Sequence, residues 1–264
     1  MQSEQMRANP NADLFLLGTG ILSFFDITLY TQSVLKKCST VFYLHDLPTL
    51  DQYLKKITAK PINLMPLYYL DGRDRGEIYK DIVSHVLEAV TKEQPVALLL
   101  HGNPILYSTI SQRLLKECAE RVIKIEVVPA MSCLDRIFVD LGVDIAERGV
   151  QIYEASRAIR TPIPIVNSVD LLILQIGPIH NPNAARNKAA AAEDALELKD
   201  YLERFYPPDH MTYIVESAVE IGYDTLVTPT RLAELEQAAE RMTYTATLFI
   251  PACGVAAAEM PRAF

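Results

Sequence analysis

The stretch "PVALLLHGNPILY" at residues 95–107 decides the fold class. Its continuous apolar run, 96–100, is typical of a strand that is buried on both faces, as in a parallel sheet. The run stops at Gly102 and Pro104, which together predict a tight loop. In open α/β sheets ligands bind beyond the carboxyl ends of the strands, so we expect the loop 101–107 to hold a ligand.

Comparable apolar runs recur along the chain and alternate with segments of helical period. Strands are predicted at 14–20, 40–44, 96–100, 124–130, 171–177, 212–218 and 246–252. Helices are predicted at 77–90, 108–122, 183–207 and 230–242, the last one capped by Thr230. The first helix has an apolar face of Ile78, Ile82, Val83, Val86 and Val90, and the second one of Ile110, Leu114, Cys118 and Val122. This alternation predicts an α/β protein with a largely parallel sheet.

The proline-containing stretch "VVPAMS" (127–132) is a plausible boundary between two α/β halves. We therefore expect an N-terminal α/β domain over 1–127 and a C-terminal α/β domain over 128–252. The remaining residues, 253–264, show no periodic pattern and are expected to form a tail or an arm on a partner subunit.

Composition narrows the function classes. The 264 residues carry a net charge of −8, which argues against a nucleic-acid partner. The four cysteines are far apart and the histidines lack zinc-site spacing, so reduced thiols and no metal are predicted. The N-terminus has no apolar core of a signal peptide, and no apolar stretch is long enough to span a membrane. A soluble, cytoplasmic protein with no membrane contact is expected.

The loop after the first strand, "GTGILSFFD" (18–26), does not complete a nucleotide fingerprint. A dinucleotide site would continue G-x-G-x-x-G, but Phe24 stands at the third glycine position, and the segment about twenty residues on offers only Asp46 as an acidic partner. A P-loop and the G-x-S-x-G elbow of α/β-hydrolases are also missing from the sequence. None of these three motifs therefore assigns a ligand to the strand-end loops.

Four strand-end motifs occur in a fixed order: "LFLLGTGIL…TVFYL" (14–44), "LLLHGNPILYS" (98–108), "EVVPAMSCLDRIFVDLGVD" (126–144) and "TATLFIPA" (245–252). Their order and spacing resemble the tetrapyrrole methylase family of S-adenosylmethionine-dependent methyltransferases. The resemblance covers about residues 14–252. It implies two α/β domains with the cofactor, S-adenosylmethionine, in the cleft between them.

Within that family the chain looks most like the borosin-type methyltransferases, which methylate backbone amides of ribosomally made precursor peptides. "INLMPLYY" (62–69) followed by "RDRGEIYKDIVSHVL" (73–87) looks like their Tyr…Arg-x-x-x-Tyr element, and "VDLGVDIAERGVQIYEASRAI" (139–159) looks like a later segment. The resemblance implies a homodimer. Fused members carry the peptide as a C-terminal extension; because this sequence stops at residue 264, we expect the peptide to be a separate chain, the split arrangement.

The resemblance also implies a set of cofactor-binding residues. S-adenosylmethionine has a sulfonium cation and no phosphate, so its site needs backbone groups on tight loops more than it needs lysines. The implied residues are Gly102, Asn103, Ile105, Leu106, Ser132, Cys133, Gln175, Ser217, Ala218 and Thr247. From the residues alone, Ser132 is equally a helix cap and Gln175 a polar residue at a strand end.

The acceptor chemistry requires a base and an oxyanion partner. An amide nitrogen is a poor nucleophile because its lone pair is delocalised into the carbonyl. Tyr68, Arg75 and Tyr79 are the expected catalytic residues: either tyrosine would accept the proton, and Arg75 would lower the tyrosine pKa and hold the developing negative oxygen. Tyr79 lies beside the apolar stripe of its helix and is equally a core residue, and Tyr69 and Arg73 are adjacent alternatives.

His101 is a fourth expected catalytic residue, at a position where the family commonly has tyrosine. A histidine titrates near neutrality, so a different activity or substrate is expected here if the tyrosine of the family assists the proton transfer. Two other functions remain open: a tetrapyrrole (uroporphyrin-type) C-methyltransferase or other small-molecule methylase, and a non-catalytic S-adenosylmethionine-binding module.

Overall fold

The computed structural model describes residues 12–70, 72–161, 163–183 and 190–254. The chain divides into two compact units. The first unit ends at Cys133 and also takes in Val219–Ile221; the second comprises the rest of the chain from Leu134 onward. The division falls a few residues beyond the boundary predicted at 127.

The first unit is a five-stranded sheet with helices in the connections. Its strands are β1 (Leu14–Gly18), β2 (Thr40–Leu44), β3 (Pro61–Asn63), β4 (Val96–Leu100) and β5 (Ile125–Val128). They lie in the order β3-β2-β4-β1-β5, and every pair is parallel. The helices are α1 (Leu29–Leu35), α2 (Pro48–Ile57), α3 (Met65–Tyr68), α4 (Arg75–Lys92) and α5 (Thr109–Glu120). Because all five strands are parallel, their carboxyl ends share one edge, where the predicted loops lie.

Helix α4 confirms the predicted helix and its apolar face. Asp74 caps it by accepting a hydrogen bond from the Glu77 backbone N–H at 3.0 Å. The five predicted face residues are all buried. In α5 the predicted face is confirmed except for Val122. That residue lies beyond the end of the helix, has a φ of +58° and is 87% exposed, because the chain turns away after Glu120.

The second unit contains a sheet of mixed direction. Its strands are β6 (Val150–Glu154), β7 (Asp170–Leu174), β8 (Met211–Glu216), β9 (Leu226–Arg231) and β10 (Thr247–Ile250), in the order β6-β7-β10-β8-β9. Its helices are α6 (Cys133–Leu141, which begins at the last residue of the first unit), α7 (Ile145–Arg148), α8 (Ala155–Arg160) and α9 (Ala192–Leu202). Of its four strand pairs, β6–β7 is the parallel one. The prediction of a largely parallel sheet is wrong for this unit, because β9 folds back on β8 and β10 runs opposite to both of its neighbours.

The helix predicted at 230–242 with Thr230 as its cap is wrong. Thr230 belongs to β9, where it pairs with Thr212, and the chain continues as two 3₁₀ turns, Leu232–Glu234 and Ala239–Arg241. The buried side chains fall at 232, 235, 238, 239 and 242. This spacing is close to three, which is the period of a 3₁₀-helix and not of an α-helix.

The helix predicted at 183–207 is shorter in the structure, where it is α9, Ala192–Leu202. Residues 184–189 of that prediction, and the predicted tail from residue 255 on, lie outside the described residues. Each unit packs its own apolar cluster against its own sheet. Among the helices in the described ranges, none is long and apolar enough to cross a bilayer.

Candidate functional site

The two glycine loops at the edge of the first sheet are bonded to each other. The Gly102 N–H donates to the Gly20 carbonyl at 2.9 Å, and the Thr19 N–H donates to the Leu100 carbonyl at 2.8 Å. Gly18 packs so closely that a Cβ there would lie 2.4 Å from the Gly102 oxygen. The end of β1 and the loop after β4 are therefore hydrogen-bonded and packed directly against each other.

The carboxylate of Asp26 organises the loop after β1. Its Oδ2 accepts hydrogen bonds from the N–H groups of Ile21 at 2.9 Å and Leu22 at 2.7 Å. Gly20 has a φ of +75°, and a Cβ at that position would lie 2.1 Å from the Asp26 Cβ. Because a carboxylate of the chain itself already takes these N–H groups, they are not available to cradle a phosphate.

The predicted first-domain cofactor residues lie on the loops after β4 and β5. The Asn103 side chain shapes its own loop, since its Oδ1 accepts from the Ile105 N–H at 3.0 Å and its Nδ2 donates to the Ala130 carbonyl at 3.4 Å. Ile105 and Leu106 expose apolar side chains to solvent. Of the two residues predicted from the loop after β5, Ser132 is buried and Cys133 is half-buried at the start of α6.

His101 is hydrogen-bonded to a second histidine that the sequence analysis did not identify. His45 follows β2 directly and His101 follows β4 directly, and the strands pair Leu44 with Leu100. The His45 Nε2 lies 3.1 Å from the His101 Nδ1, and the His45 Nδ1 accepts from the Leu47 N–H at 3.1 Å. His101 is exposed to solvent on one side, yet desolvation by the surrounding protein lowers its pKa to about 4, with a further contribution from His45. Desolvation also lowers the pKa of His45 to about 4.

Asn63 connects this histidine pair to the segment that carries the predicted catalytic residues. It is the last residue of β3, and its Nδ2 donates to the His45 carbonyl at 2.8 Å. Its Oδ1 accepts from the Met65 N–H, at the first residue of α3, at 3.0 Å. A continuous set of hydrogen bonds therefore runs from the loop after β4 to α3.

Tyr68, at the end of α3, is held by α4. Its hydroxyl lies 2.7 Å from the Nδ1 of His85. The guanidinium of Arg73, itself ion-paired with Asp81, lies 6.0 Å from the centre of the Tyr68 ring. The pKa of Tyr68 is raised above its ordinary value, chiefly by burial and then by the Asp81 carboxylate, and the charge of Arg73 offsets this only in part.

Arg75 and Tyr79 lie on the first two turns of α4, both half-buried. The Tyr79 ring contacts the ring of Tyr69 with 6.5 Å between centroids, so the neighbouring alternative, Tyr69, shares the same cluster. Arg113 of α5 donates to the Gly76 carbonyl at 2.9 Å and anchors the first turn of α4. The structure thus brings Tyr68, His85 and Arg73 together, places Tyr69 against Tyr79, and leaves Arg75 on the first turn of the same helix.

The predicted cofactor residues of the second unit share one edge of its sheet. Gln175 follows β7 with a φ of +58°, and Ser217 and Ala218 follow β8. Thr247 begins β10, but this strand is antiparallel to β7 and β8, so its start lies at the edge where they end. The Ser217 hydroxyl donates to the buried Asp140 carboxylate at 2.6 Å, and the Ala218 N–H donates to the Thr225 hydroxyl at 3.1 Å.

Sequence reasoning missed Asp26, His45, Asn63 and His85. A signal existed for His45, because it directly follows an apolar run just as His101 does. The other three are recognisable from their contacts, which depend on strand order and on how α3 packs against α4. Among the residues that the structure describes, no group of three or more His, Cys, Asp or Glu side chains is placed to hold a metal ion.

Two α/β units, the first with two glycine loops hydrogen-bonded to each other where its parallel strands end, define the class of α/β proteins in which ligands bind beyond the strand ends. Comparison with known proteins specifies the family. The profile of the Tetrapyrrole (Corrin/Porphyrin) Methylases matches residues 13–235, and the chain belongs to that family.

Three fungal relatives have curated names that combine a methyltransferase with a peptide precursor. The chain is 27% identical over 242 residues to the methyltransferase/ribosomally synthesized cyclic peptide gymnopeptides precursor of Gymnopus fusipes, a match that covers 90% of this chain and 57% of the relative. It is 25% identical to the methyltransferase/omphalotin A precursor of Omphalotus olearius, with the same coverage. A type II borosin precursor of Phlebiopsis gigantea is 24% identical, with 42% of its length covered. The chain thus spans about half the length of these relatives.

Solved structures agree on the fold. The uroporphyrin-III C-methyltransferase of Thermus thermophilus superposes with a TM-score of 0.66 at 17% identity, over 94% of this chain and 96% of that one. A cobalt precorrin-4 methyltransferase gives a TM-score of 0.63 at 14% identity, over 90% of this chain and 94% of that one. The predicted α/β fold of the tetrapyrrole methylase type, with two α/β domains, is confirmed.

Proposed function

We propose that this protein is an S-adenosylmethionine-dependent methyltransferase that methylates backbone amide nitrogens of a ribosomally made precursor peptide. The observation that carries the proposal is the contact of Tyr68 with His85 and Arg73 on α3 and α4, a segment that hydrogen bonds connect to the loop after β4. The names of the fungal relatives support the peptide substrate. A uroporphyrin-III C-methyltransferase structure that contains S-adenosyl homocysteine supports the methyl donor.

The chemistry of the first-domain loops fits this donor. The segments 18–26 and 101–107 contain no lysine or arginine, and they carry one carboxylate, Asp26. Loops with one carboxylate and no basic side chain favour binding of a cation and disfavour binding of a phosphate. When bound, S-adenosylmethionine supplies an electrophilic methyl group. The residues that would contact it are Gly102, Asn103, Ile105, Leu106, Ser132 and Cys133 and, from the second domain, Gln175, Ser217, Ala218 and Thr247.

Removal of the amide proton is the difficult part of the reaction. The raised pKa of Tyr68 makes a standing phenolate there unfavourable. The neighbouring His85 offers another route, in which Tyr68 accepts the amide proton while passing its own proton to the His85 Nδ1. Tyr68 then stays neutral, and the imidazole of His85 carries the proton.

Arg75 and Tyr79 are assigned to the substrate carbonyl. As the amide loses its proton, negative charge grows on the carbonyl oxygen, and a permanently charged guanidinium stabilises it. Tyr79 is one turn from Arg75 on the same face of α4, where its hydroxyl can donate to the same oxygen. Replacing such a donor typically costs about 100-fold to 1,000-fold in rate.

We also propose that the peptide is a separate chain and that the protein works as a homodimer. The family resemblance implies the homodimer. The first is tested by adding a synthetic peptide to the purified protein, and the second by light scattering coupled to gel filtration.

The activity test incubates the protein with S-adenosylmethionine and two kinds of synthetic peptide. One is the precursor segment of the Gymnopus fusipes relative, and the other is any short peptide encoded beside the gene. Mass gains of whole methyl groups, located on backbone nitrogens by fragmentation, are expected. Arg75→Lys and Tyr79→Phe should each lower the rate at least about 100-fold. The matched controls Arg121→Lys, on the exposed end of α5, and Tyr223→Phe, on an exposed loop, should leave the rate unchanged.

The likeness to a uroporphyrin-III C-methyltransferase fold supports a second candidate, methylation of a tetrapyrrole. Incubation with uroporphyrinogen III tests it, and in that reaction Arg75→Lys and Tyr79→Phe should have little effect because no amide is deprotonated. Calorimetry with S-adenosylmethionine tests the remaining alternative. A protein that binds the cofactor but methylates neither the peptides nor the tetrapyrrole is a non-catalytic binding module.

A further inference from the structure

The hydrogen bonds around His45 determine where its proton lies. The Leu47 backbone N–H can only donate, and it points to the His45 Nδ1 at 3.1 Å. The Nδ1 must therefore carry a lone pair. In the neutral ring the proton is then on Nε2, which is the atom that faces His101.

The position of the His45 proton in turn determines the position of the proton on His101. Since the His45 Nε2 carries a proton, it donates across 3.1 Å to the His101 Nδ1, which must accept. The proton of neutral His101 is therefore on Nε2, the nitrogen on the far side of the ring. The His101 side chain is partly open to solvent, and within the described part of the chain no further hydrogen bond of its ring is found.

We propose that Leu47 and His45 lock His101 as the neutral Nε2–H tautomer, so that the loop after β4 presents an N–H donor that binds an acceptor oxygen and does not act as a base. His45 is then a positioning residue. The identity of that oxygen rests on the proposed function: for a peptide substrate it is a backbone carbonyl. A tyrosine hydroxyl could donate in the same way, which gives a chemical reason why histidine can stand where the family commonly has tyrosine.

The pair has a physical reason to remain neutral. A second proton on His101 would have to go to Nδ1, where it would face the Nε2–H of His45. Moving the His45 proton to Nδ1 would instead set it against the Leu47 N–H. Protonation therefore breaks one of the two hydrogen bonds, an effect separate from the desolvation that lowers the pKa of both rings. Asp26, from the loop after β1, is the charged group that acts on His101, and its carboxylate favours the protonated form.

The test is a long-range proton–nitrogen correlation spectrum of protein labelled at the histidine nitrogens. The chain has five histidines, and His45→Gln and His101→Gln assign the two signals by their loss. His210 serves as an internal reference, because its Nε2 faces the Pro251 carbonyl at 2.8 Å and must carry a proton. Both His45 and His101 should show the same Nε2–H pattern as His210 at neutral pH. An Nδ1–H pattern at His101 would overturn the proposal.

Two variants of His45 separate positioning from simple packing. His45→Phe removes the donor, so the tautomers of His101 should mix and its pKa should rise by the part that His45 contributes, while the larger part due to desolvation remains. His45→Gln places an amide N–H where the Nε2–H was and should retain the Nε2–H pattern at His101. If His101 titrates identically in both variants, the lock does not exist.

Kinetics with a methylated peptide test the role of the donor. His101→Phe should raise KM about tenfold with little change in kcat, the effect of one lost hydrogen bond to bound substrate, and His101→Gln should largely restore it. If the spectra show the lock but His101→Phe leaves KM unchanged, the donor role fails and the proposed function stands. If no peptide is methylated by the unaltered protein, the proposed function fails while the tautomer assignment stands on the spectra.

Discussion

Replacing Gly18 by alanine should separate the glycine loops on which the candidate site is built. Gly18 ends β1, and its φ is not in the left-handed region, so alanine meets no backbone strain there. The obstacle is steric: an added Cβ would lie 2.4 Å from the Gly102 oxygen, 2.6 Å from the Ala130 Cβ and 3.0 Å from the Pro104 Cδ. The perturbation therefore acts on the loops after β4 and β5 together.

The magnitude follows from these distances. Ordinary contact begins near 3.4 Å, so the Gly102 carbonyl would have to retreat by about 1 Å and the Ala130 methyl by nearly as much. Inserting a methyl group into packed structure typically lowers the free energy of unfolding by about 1–3 kcal/mol. We expect a loss at the upper end of that range, because one of the obstructing atoms is a backbone oxygen, which cannot move aside as a flexible side chain can. A loss of about 3 kcal/mol corresponds to a fall in Tm of about 6–12 °C for a protein of this size. A 1 Å shift of the loop should also weaken binding of S-adenosylmethionine at least about tenfold.

The assay combines urea unfolding with calorimetry of cofactor binding, and a second variant sharpens it. Ala130→Gly removes one of the obstacles, so the double variant should recover part of the lost stability, with a coupling free energy of at least about 0.5 kcal/mol. Gly149→Ala is the control: its φ is +73° and the nearest atom to an added Cβ is 3.9 Å away, so it tests backbone strain without collision. The reasoning is refuted if Gly18→Ala unfolds and binds cofactor as the unaltered protein does. Lost stability with unchanged affinity would place the cofactor elsewhere.

Three further predictions concern stability. The pKa values of His45 and His101 in the folded protein lie below the ordinary value, so the unfolded chain binds more protons between about pH 4 and about pH 6.5. The free energy of unfolding should therefore rise with pH across that window. Urea midpoints at several pH values measure the rise, and the variant with both histidines replaced by glutamine is the control. Asp74→Ala removes the cap of α4 and should cost about 1 kcal/mol, whereas Asp74→Asn should cost much less, as thermal unfolding will show. Asp170→Asn removes a buried carboxylate that accepts a hydrogen bond from a backbone N–H and pairs with Arg148 at 3.4 Å. The free energy of unfolding should fall by about 3 kcal/mol, and an unchanged denaturation midpoint would contradict this.

The sequence was sufficient for the elements whose pattern is continuous. The runs at 14–18, 40–44 and 96–100 are buried at every residue, so no partner is needed to recognise them as central strands. Strands β3, β6 and β9 were missed because they lie at sheet edges and are only partly buried, and β3 and β9 each also contain a proline. The false helix at 230–242 has a different cause, since apolar spacings of three and of 3.6 residues cannot be told apart over so few turns.

The candidate site likewise has features that the sequence alone could predict and features that it could not. Glycine positions could be read from the chain, because a glycine between a strand and a proline already indicates a tight approach of backbones. The direction of the His101 hydrogen bond could not, because it depends on β2 and β4 being neighbours in register. Local sequence thus specifies where the backbone must be free of side chains, and strand order specifies which nitrogen carries a proton. A homologue that conserved the HGNP loop but placed another strand beside β4 would retain the loop and lose the lock on its donor.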